Sequence, residues 1–194
     1  RLVVNHHFTF FINSLAHMWG TQPYTDENTA RDNPVLALVT YGEGYHNFHH
    51  LFAHDYRNGI RWWHWDPTKW LIRALSWCGL TSRLRVTPAV DIERARLAMQ
   101  FKRAEARLTA VAERDLRADH HAIAQLRARV EHEYEAFVAT LAEWSAAREA
   151  WVTATRQKMA HRIDRVDADI KALGQEITRR LRAQRRRLAS LEFA

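Results

Sequence analysis

Three histidines, His46, His49 and His50, stand at i, i+3 and i+4 in the string Tyr41-Gly42-Glu43-Gly44-Tyr45-His46-Asn47-Phe48-His49-His50. On a helix this spacing sends all three imidazoles from one face, as ligands of a shared metal centre require. Imidazole nitrogen suits iron, copper, zinc and nickel. For an H-x-x-H-H string alone, three chance histidines on a solvated helix is an equal reading. Upstream, His6, Thr9, Phe10, Asn13 and His17 share one face of the apolar stretch Leu2–Trp19. Polar side chains on an apolar helix in a membrane normally face the protein interior and mark function. Glu43-Gly44-Tyr45-His46 is one copy of the Glu-x-x-His element that soluble di-iron bundles use twice. No second copy occurs and glycines flank this one. Glu43 is therefore read as a helix-start residue, or as one that orients a ligand from behind. Gly42-x-Gly44 lacks the third glycine of a nucleotide fingerprint. Ser14 and His17 lack a nucleophile elbow.

The elements that must position these residues follow from pattern and punctuation. Leu2–Trp19 reads as a helix, and a membrane-spanning helix needs roughly 20 apolar residues. The stretch would be most of one if its start lies further upstream; a core helix explains the apolarity almost as well. Pro23, Asp26, Asn28, Asp32, Asn33 and Pro34 make 20–34 a loop. Helical character resumes around Val35–Tyr41 and again at the histidines. Pro67–Leu80 reads as an amphipathic helix, with Pro67 in its first turn and Gly79 at its end. Its Trp70, Leu71, Leu75 and Trp77 beside Lys69 and Arg73 suit a helix lying in a membrane interface, or a plain surface helix.

Near Pro88 the composition changes from His- and aromatic-rich to Ala, Arg, Glu and Leu. The expected organisation is two parts, 1–88 and 89–194. From about Val90 to Leu191 long helices are expected. Ile123, Leu126, Val130, Phe137, Leu141 and Trp144 keep a three–four spacing, as do Met159, Ile163, Val166, Ile170, Leu173 and Ile177. That pattern predicts a coiled coil or helical hairpin, folding back near Ala150–Thr155, through which the tail could self-associate. The fold class is all-α.

Composition narrows the function classes. The single cysteine, Cys78, excludes a disulfide framework and a cysteine-based zinc site. Twelve histidines and eight tryptophans are the unusual counts, suiting metal ligation and a membrane–water interface respectively. A net charge of +7 calls for an acidic partner such as anionic lipid or a phosphorylated substrate. The runs Arg179–Arg182 and Arg185–Arg187 have no accompanying nucleic-acid motif, so nucleic acid is not expected. His120, His121, His132 and His161 are read as solvated.

The long string around His46 resembles the third histidine box of membrane acyl-CoA desaturases, G-E-G-[FY]-H-N-[FY]-H-H. Asn13-Ser14-Leu15-Ala16-His17 resembles a second string of that family, N-S-x-A-H, at the end of its last membrane helix. Gly20, Pro23-Tyr24, Arg31-Asp32-Asn33, Asp55-Tyr56-Arg57 and Arg61-Trp62 extend the likeness, which is closest to the bacterial delta-9 type and covers about residues 1–105. The resemblance implies that His17, His46, His49 and His50 are ligands of two iron ions, with Asn13 reaching one iron through a water. It places Thr9 and Phe10 on the acyl tunnel; animal enzymes carry Trp at the Phe10 position. His6 and His7 match no family ligand.

The implied activity is an oxidoreductase that puts a cis double bond, at the ninth carbon, into a saturated acyl chain carried as acyl-CoA or acyl-lipid. O₂ is the oxidant, and electrons come from a cytochrome b5-like or ferredoxin-like donor. The implied location is a multi-pass membrane protein in contact with lipid, its catalytic face and tail cytoplasmic. Two earlier histidine boxes of the family, H-x₄-H and H-x-x-H-H, do not occur here. The chain is therefore expected to be the carboxy-terminal part of a longer protein and to be inactive alone. A membrane di-iron hydroxylase of fatty acids or alkanes is the alternative enzyme. A non-catalytic helical interaction protein is the alternative of another class.

Overall fold

The computed structural model describes residues 2–114, 120–156 and 160–191, all of its regular structure helical. The chain divides into two compact units, Arg1–Pro88 and Ala89–Ala194.

In the first unit, α1 (Leu2–Asn13) and α2 (Leu15–Met18) come from the one expected helix, which breaks at Ser14. The Ser14 hydroxyl donates to the Phe10 carbonyl at 2.6 Å, a back-bond to i−4 that bends helices. The end of a membrane-spanning helix expected here is represented by the 12 residues of α1. Among the described residues no helix is long and apolar enough to cross a membrane. The chain then loops through 20–33, where isolated antiparallel bridges pair Asp32 with both Thr21 and Tyr45.

Helix α3 (Pro34–Val39) takes in Pro34, expected to end the loop, and stops short of the expected Tyr41. Asn33 Oδ1 accepts from the amides of Val35 and Leu36 at 2.9 and 3.1 Å, and Pro34 fills a position whose N–H has no helical partner. Helix α4 (His46–Leu51) has no cap of its own, since Tyr45 offers none. A residue from the preceding loop serves instead: Asp32 Oδ1 accepts from the Phe48 amide at 3.1 Å. Helix α5 (Pro67–Trp77) is capped by Asp66, whose Oδ1 accepts from the Lys69 amide. The other Asp66 oxygen takes the amides of Asn58 and Gly59. Lys69 is buried, and its ammonium donates to the carbonyls of Gly59, Arg61 and His64. Burial pulls its pKa down while Asp66 opposes. This lysine and aspartate hold the loop carrying Trp62, Trp63 and Trp65, which stay exposed with Trp70 and Trp77.

The second unit is α6 (Ala89–Arg114), α7 (His120–Arg156) and α8 (Ala160–Leu191) around one core. Val90, Leu97, Phe101 and Ala104 meet Phe137, Ile177, Leu181 and Leu188 there, with Val130, Leu141, Trp144 and Leu173 at the edge. The hairpin expected from α7 and α8 therefore has a third member. Helix α7 runs unbroken through Ala150–Thr155. Met159 lies outside the described residues, as do the side chains of Ile163, Val166, His120 and His161.

Most of the basic run on α8 is paired within the unit. The buried Glu93 carboxylate lies 3.1 Å from Arg182 and 3.3 Å from Arg185, with Arg96 at 3.4 Å. Arg187 meets Glu133 at 2.8 Å and Arg180 meets Glu143 at 2.7 Å. The Arg187 bond holds the Glu133 carboxyl below its usual range, against partial burial.

Candidate metal centre

Helices α2 and α4 bring His17, His46 and His50 together. His46 Nε2 lies 3.1 Å from His17 Nε2 and 3.0 Å from His50 Nε2. Ligand nitrogens of the three rings all fall within 4.8 Å of one another. The rings meet edge to face, His17 with His46 at 4.8 Å between centroids and His46 with His50 at 4.4 Å. A neutral imidazole has one N–H and one lone pair, so His46 Nε2 cannot satisfy both neighbours. A cation between them can. Metal–imidazole bonds of ~2.0–2.1 Å, as for zinc, set two ligands at right angles ~3.0 Å apart. The observed spacing fits that donor set.

Electrostatics keep the rings ready to ligate. Burial lowers the His46 pKa to about 4, and mutual repulsion with His50, His17 and His49 adds to the shift, against a smaller opposing influence of the Glu43 backbone. Burial also lowers His50, with His17 and His49 contributing. The His46 ring is neutral at pH 7, with a lone pair available, and the His50 shift runs in the same direction. A pH dependence follows. The folded His46 value lies below the ordinary 6.5, so between pH 6.5 and 4 the unfolded chain binds more protons. The metal-free chain should keep this stabilisation above pH 6.5 and lose it as pH falls to 4. At ~1.4 kcal/mol per pKa unit the loss reaches about 3 kcal/mol. Urea unfolding at pH 7 and at pH 4, compared with His46→Gln, measures it; equal losses in both proteins would refute the assignment.

His49 stands apart. At ~100° per residue, His50 lies ~40° around α4 from His46, while His49 lies ~60° away on the other side. Its ring centroid is 6.2 Å from that of His46 and 6.0 Å from that of His50. The expectation that all three imidazoles share one face thus resolves into a pair with His17 and a flanking third. Asn13 ends α1 exposed, beyond which the break at Ser14 turns the chain. Thr9 and Phe10 are exposed on α1, Phe10 to 61%. Glu43 Oε1 accepts from Asn58 Nδ2 at 2.7 Å, so its carboxylate is engaged away from the rings and only its backbone bears on His46.

Part of the chain is similar to known proteins. The chain is 52% identical over 94 residues to a probable acyl-CoA desaturase of Schizosaccharomyces pombe, covering 48% of this chain and 20% of that protein. It is 39% identical over 98 residues to stearoyl-CoA desaturase 5 of Homo sapiens, covering 50% and 30%. It is 39% identical over 88 residues to the sn-2 palmitoyl-lipid 9-desaturase of Nostoc sp. (strain 36), covering 45% and 31%. Over about half its length the chain is similar to curated acyl-CoA and acyl-lipid desaturases. It spans less than a third of the length of these relatives. No family model matches the chain.

The chain builds its cluster with residues that spacing arguments pass over. Asn47, between the histidines, is fully buried. Its Oδ1 accepts from the Tyr24 amide at 2.9 Å, and its Nδ2 donates to the carbonyls of Thr25 and Ala30 at 2.8 and 2.9 Å. The Arg31 amide donates to the Ala16 carbonyl at 2.7 Å. The 20–33 loop is thus fastened to α4 at one point and to α2 at another, which fixes His17 against His46. Thr29 Oγ1 sits 2.9 Å from His17 Nδ1. Asn47 lies ~60° around α4 from His50, on the side away from His49.

Proposed function

We propose that this chain is part of a fatty acyl desaturase and supplies histidines to its two-iron centre. Residues 1–88 would be the desaturase part and 89–194 a helical extension. His46 Nε2, 3.1 Å from His17 Nε2 and 3.0 Å from His50 Nε2, supports this reading most strongly. His17, His46 and His50 would hold one iron, while His49, turned to the side, would serve the second, with Asn13 reaching an iron through a water. Removing two hydrogens from an alkyl chain is beyond acid–base chemistry, because those C–H bonds are neither acidic nor polarised. Bound iron would supply the oxidising chemistry with O₂, using electrons from an external cytochrome b5-like or ferredoxin-like donor.

The chain's own residues do the positioning. Thr9 and Phe10 on α1 would line the path of the acyl chain, where each buried methylene contributes about 0.8 kcal/mol to holding it. The substrate would be a fatty acyl-CoA or acyl-lipid, desaturated at the ninth carbon as the name of the Nostoc relative suggests. The complete protein would sit in a membrane, catalytic face and extension cytoplasmic, with the exposed tryptophans near the lipid headgroups.

Two measurements test this. The chain loaded anaerobically with ferrous iron should hold fewer than two irons, and His46→Ala should release what it holds. In the complete polypeptide supplied with saturated acyl-CoA, O₂ and reductant, the product should be a cis alkene, lost in His46→Ala. An alcohol product, or iron binding indifferent to His46→Ala, would overturn the reading.

A further inference from the structure

We propose that the second unit binds a single-chain anionic amphiphile, an alkyl or acyl chain ending in a carboxylate or phosphate, in the cleft between α6, α7 and α8. The proposal stands on that unit alone and does not rest on the metal-centre reading. Around Phe101 the core is filled by aromatic side chains, Phe101 meeting Phe137 at 5.6 Å and Tyr134 at 5.3 Å between centroids. Further along α6 and at the start of α7 the side chains are smaller, Ala104, Ala110 and Ala122 among them. They leave a cleft of about 630 Å³. Leu108 and Val111 of α6, Ile123 and Leu126 of α7, and Leu188 and Leu191 of α8 form its apolar walls. Protein interiors are close-packed, with few voids larger than a water molecule. A space of this size falls instead in the range of small-molecule sites, which are mostly apolar with a few polar groups that fix the ligand.

The neighbouring surface gives the class of ligand. Arg129 lines the apolar cleft and also a second cleft of about 460 Å³, whose other walls include His132, Glu133 and Arg187. Leu191 is likewise common to both, so the two adjoin. A molecule that occupies both has an apolar body and a polar head. The charges make that head anionic. Glu133 is engaged by Arg187 at 2.8 Å, whereas Arg129 has no ion-pair partner among the described residues. A guanidinium presents paired N–H donors that match a carboxylate or a phosphate. Arg129 is exposed, so the head would stay at the water-filled mouth while the chain is buried.

Titration calorimetry of the whole chain with hexadecanoate, hexadecyl phosphate and hexadecanol tests this. Both anions should bind at a saturable site, and the tighter of them identifies the head. Hexadecanol should bind roughly tenfold more weakly than that anion. Shortening hexadecanoate to tetradecanoate and dodecanoate should weaken binding about fourfold per methylene removed. Val111→Trp fills the cleft from a position that is 50% exposed and should remove the site. Arg129→Gln should weaken the anions roughly tenfold and leave hexadecanol unchanged, with a parental urea midpoint. Arg127→Gln, the same charge change on α7 outside both clefts, should bind like the parent. Arg129→Gln decides the matter even where Val111→Trp fails to fold. Hexadecanol binding as tightly as the anions, or an Arg129→Gln variant that binds them like the parent, overturns the proposal. So does a dimer of the chain that Val111→Trp splits and hexadecanoate does not, since the cleft would then hold a second copy.

Discussion

Gly44→Ala should abolish the histidine cluster, though it adds one methyl group at a position with no unusual backbone angle. A Cβ at Gly44 would lie 2.2 Å from the amide nitrogen of Ala37 and 2.6 Å from both Ala37 Cα and the Asn33 carbonyl oxygen. These are backbone atoms at the start of α3, and no rotamer change can clear them. The Gly44 carbonyl also accepts from the Asn33 amide at 2.7 Å, so α3 is drawn against the residue that would push it away. Relief requires α3 to move by about 1 Å or more to reach ordinary carbon contact distances. That movement carries off the Asn33 cap and the neighbouring Asp32, whose carboxylate caps α4. The expected cost exceeds about 4 kcal/mol, in the exceptional range for one substitution. Gly79→Ala is the control. Gly79 has φ +73° with nothing within 4 Å of a Cβ, so only the left-handed penalty of about 1–2 kcal/mol applies. Urea unfolding and Co²⁺ titration of both variants check this. Near-parental Co²⁺ affinity in Gly44→Ala would show that α3 does not constrain the cluster.

Gly44 also marks how far the sequence could be read. Local rules identified some of the elements: Pro67 marked the start of α5, whereas Asn33 and Pro34, which open α3 by capping chemistry, read as turn formers. The placing of His46 and His50 on one face was legible from a four-residue spacing that holds on any helix. What escaped depends on contacts between segments distant in sequence. Asp32 caps α4 from 16 residues away in the chain, and no propensity announces a cap borrowed from another loop. His49 looked equivalent to His50, yet on a helix of six residues the ~100° between neighbours sends it off the shared face. The arginines of α8 read as a solvated run, because Glu93 is 89 residues from Arg182 in sequence and only packing brings them together. The apolar positions of α6 lacked the unbroken stripe of α7, and their burial became evident only with Ile177 and Leu181 against them.

Asn47→Asp should cost nearly as much as Gly44→Ala although the two side chains at position 47 have the same shape. The amide nitrogen of Asn47 donates to two carbonyls, those of Thr25 and Ala30. An aspartate puts a negatively charged oxygen there, facing two other acceptors in a site with no solvent exposure. Both carbonyls lose their donor, at about 1–3 kcal/mol for each buried group left unsatisfied. The buried carboxylate adds a desolvation penalty, so roughly 4 kcal/mol in total is expected. The 20–33 loop should then detach from α4, taking with it the Arg31–Ala16 bond that holds α2 and leaving His17 unplaced. Co²⁺ affinity should fall with stability even though no ligand has been touched. The two causes separate by pH. The aspartate is ionised in the unfolded chain above ~4, whereas burial raises its folded value. The folded variant therefore binds the extra proton, and its deficit relative to the parent should shrink as pH falls toward 4. Asn47→Leu loses the same hydrogen bonds but carries no titrating group, so its deficit should stay constant. Unfolding of parent and both variants from pH 7 to pH 4 makes the comparison. Parallel curves for the aspartate and leucine variants would mean that position 47 is open to water and that the loop is held elsewhere.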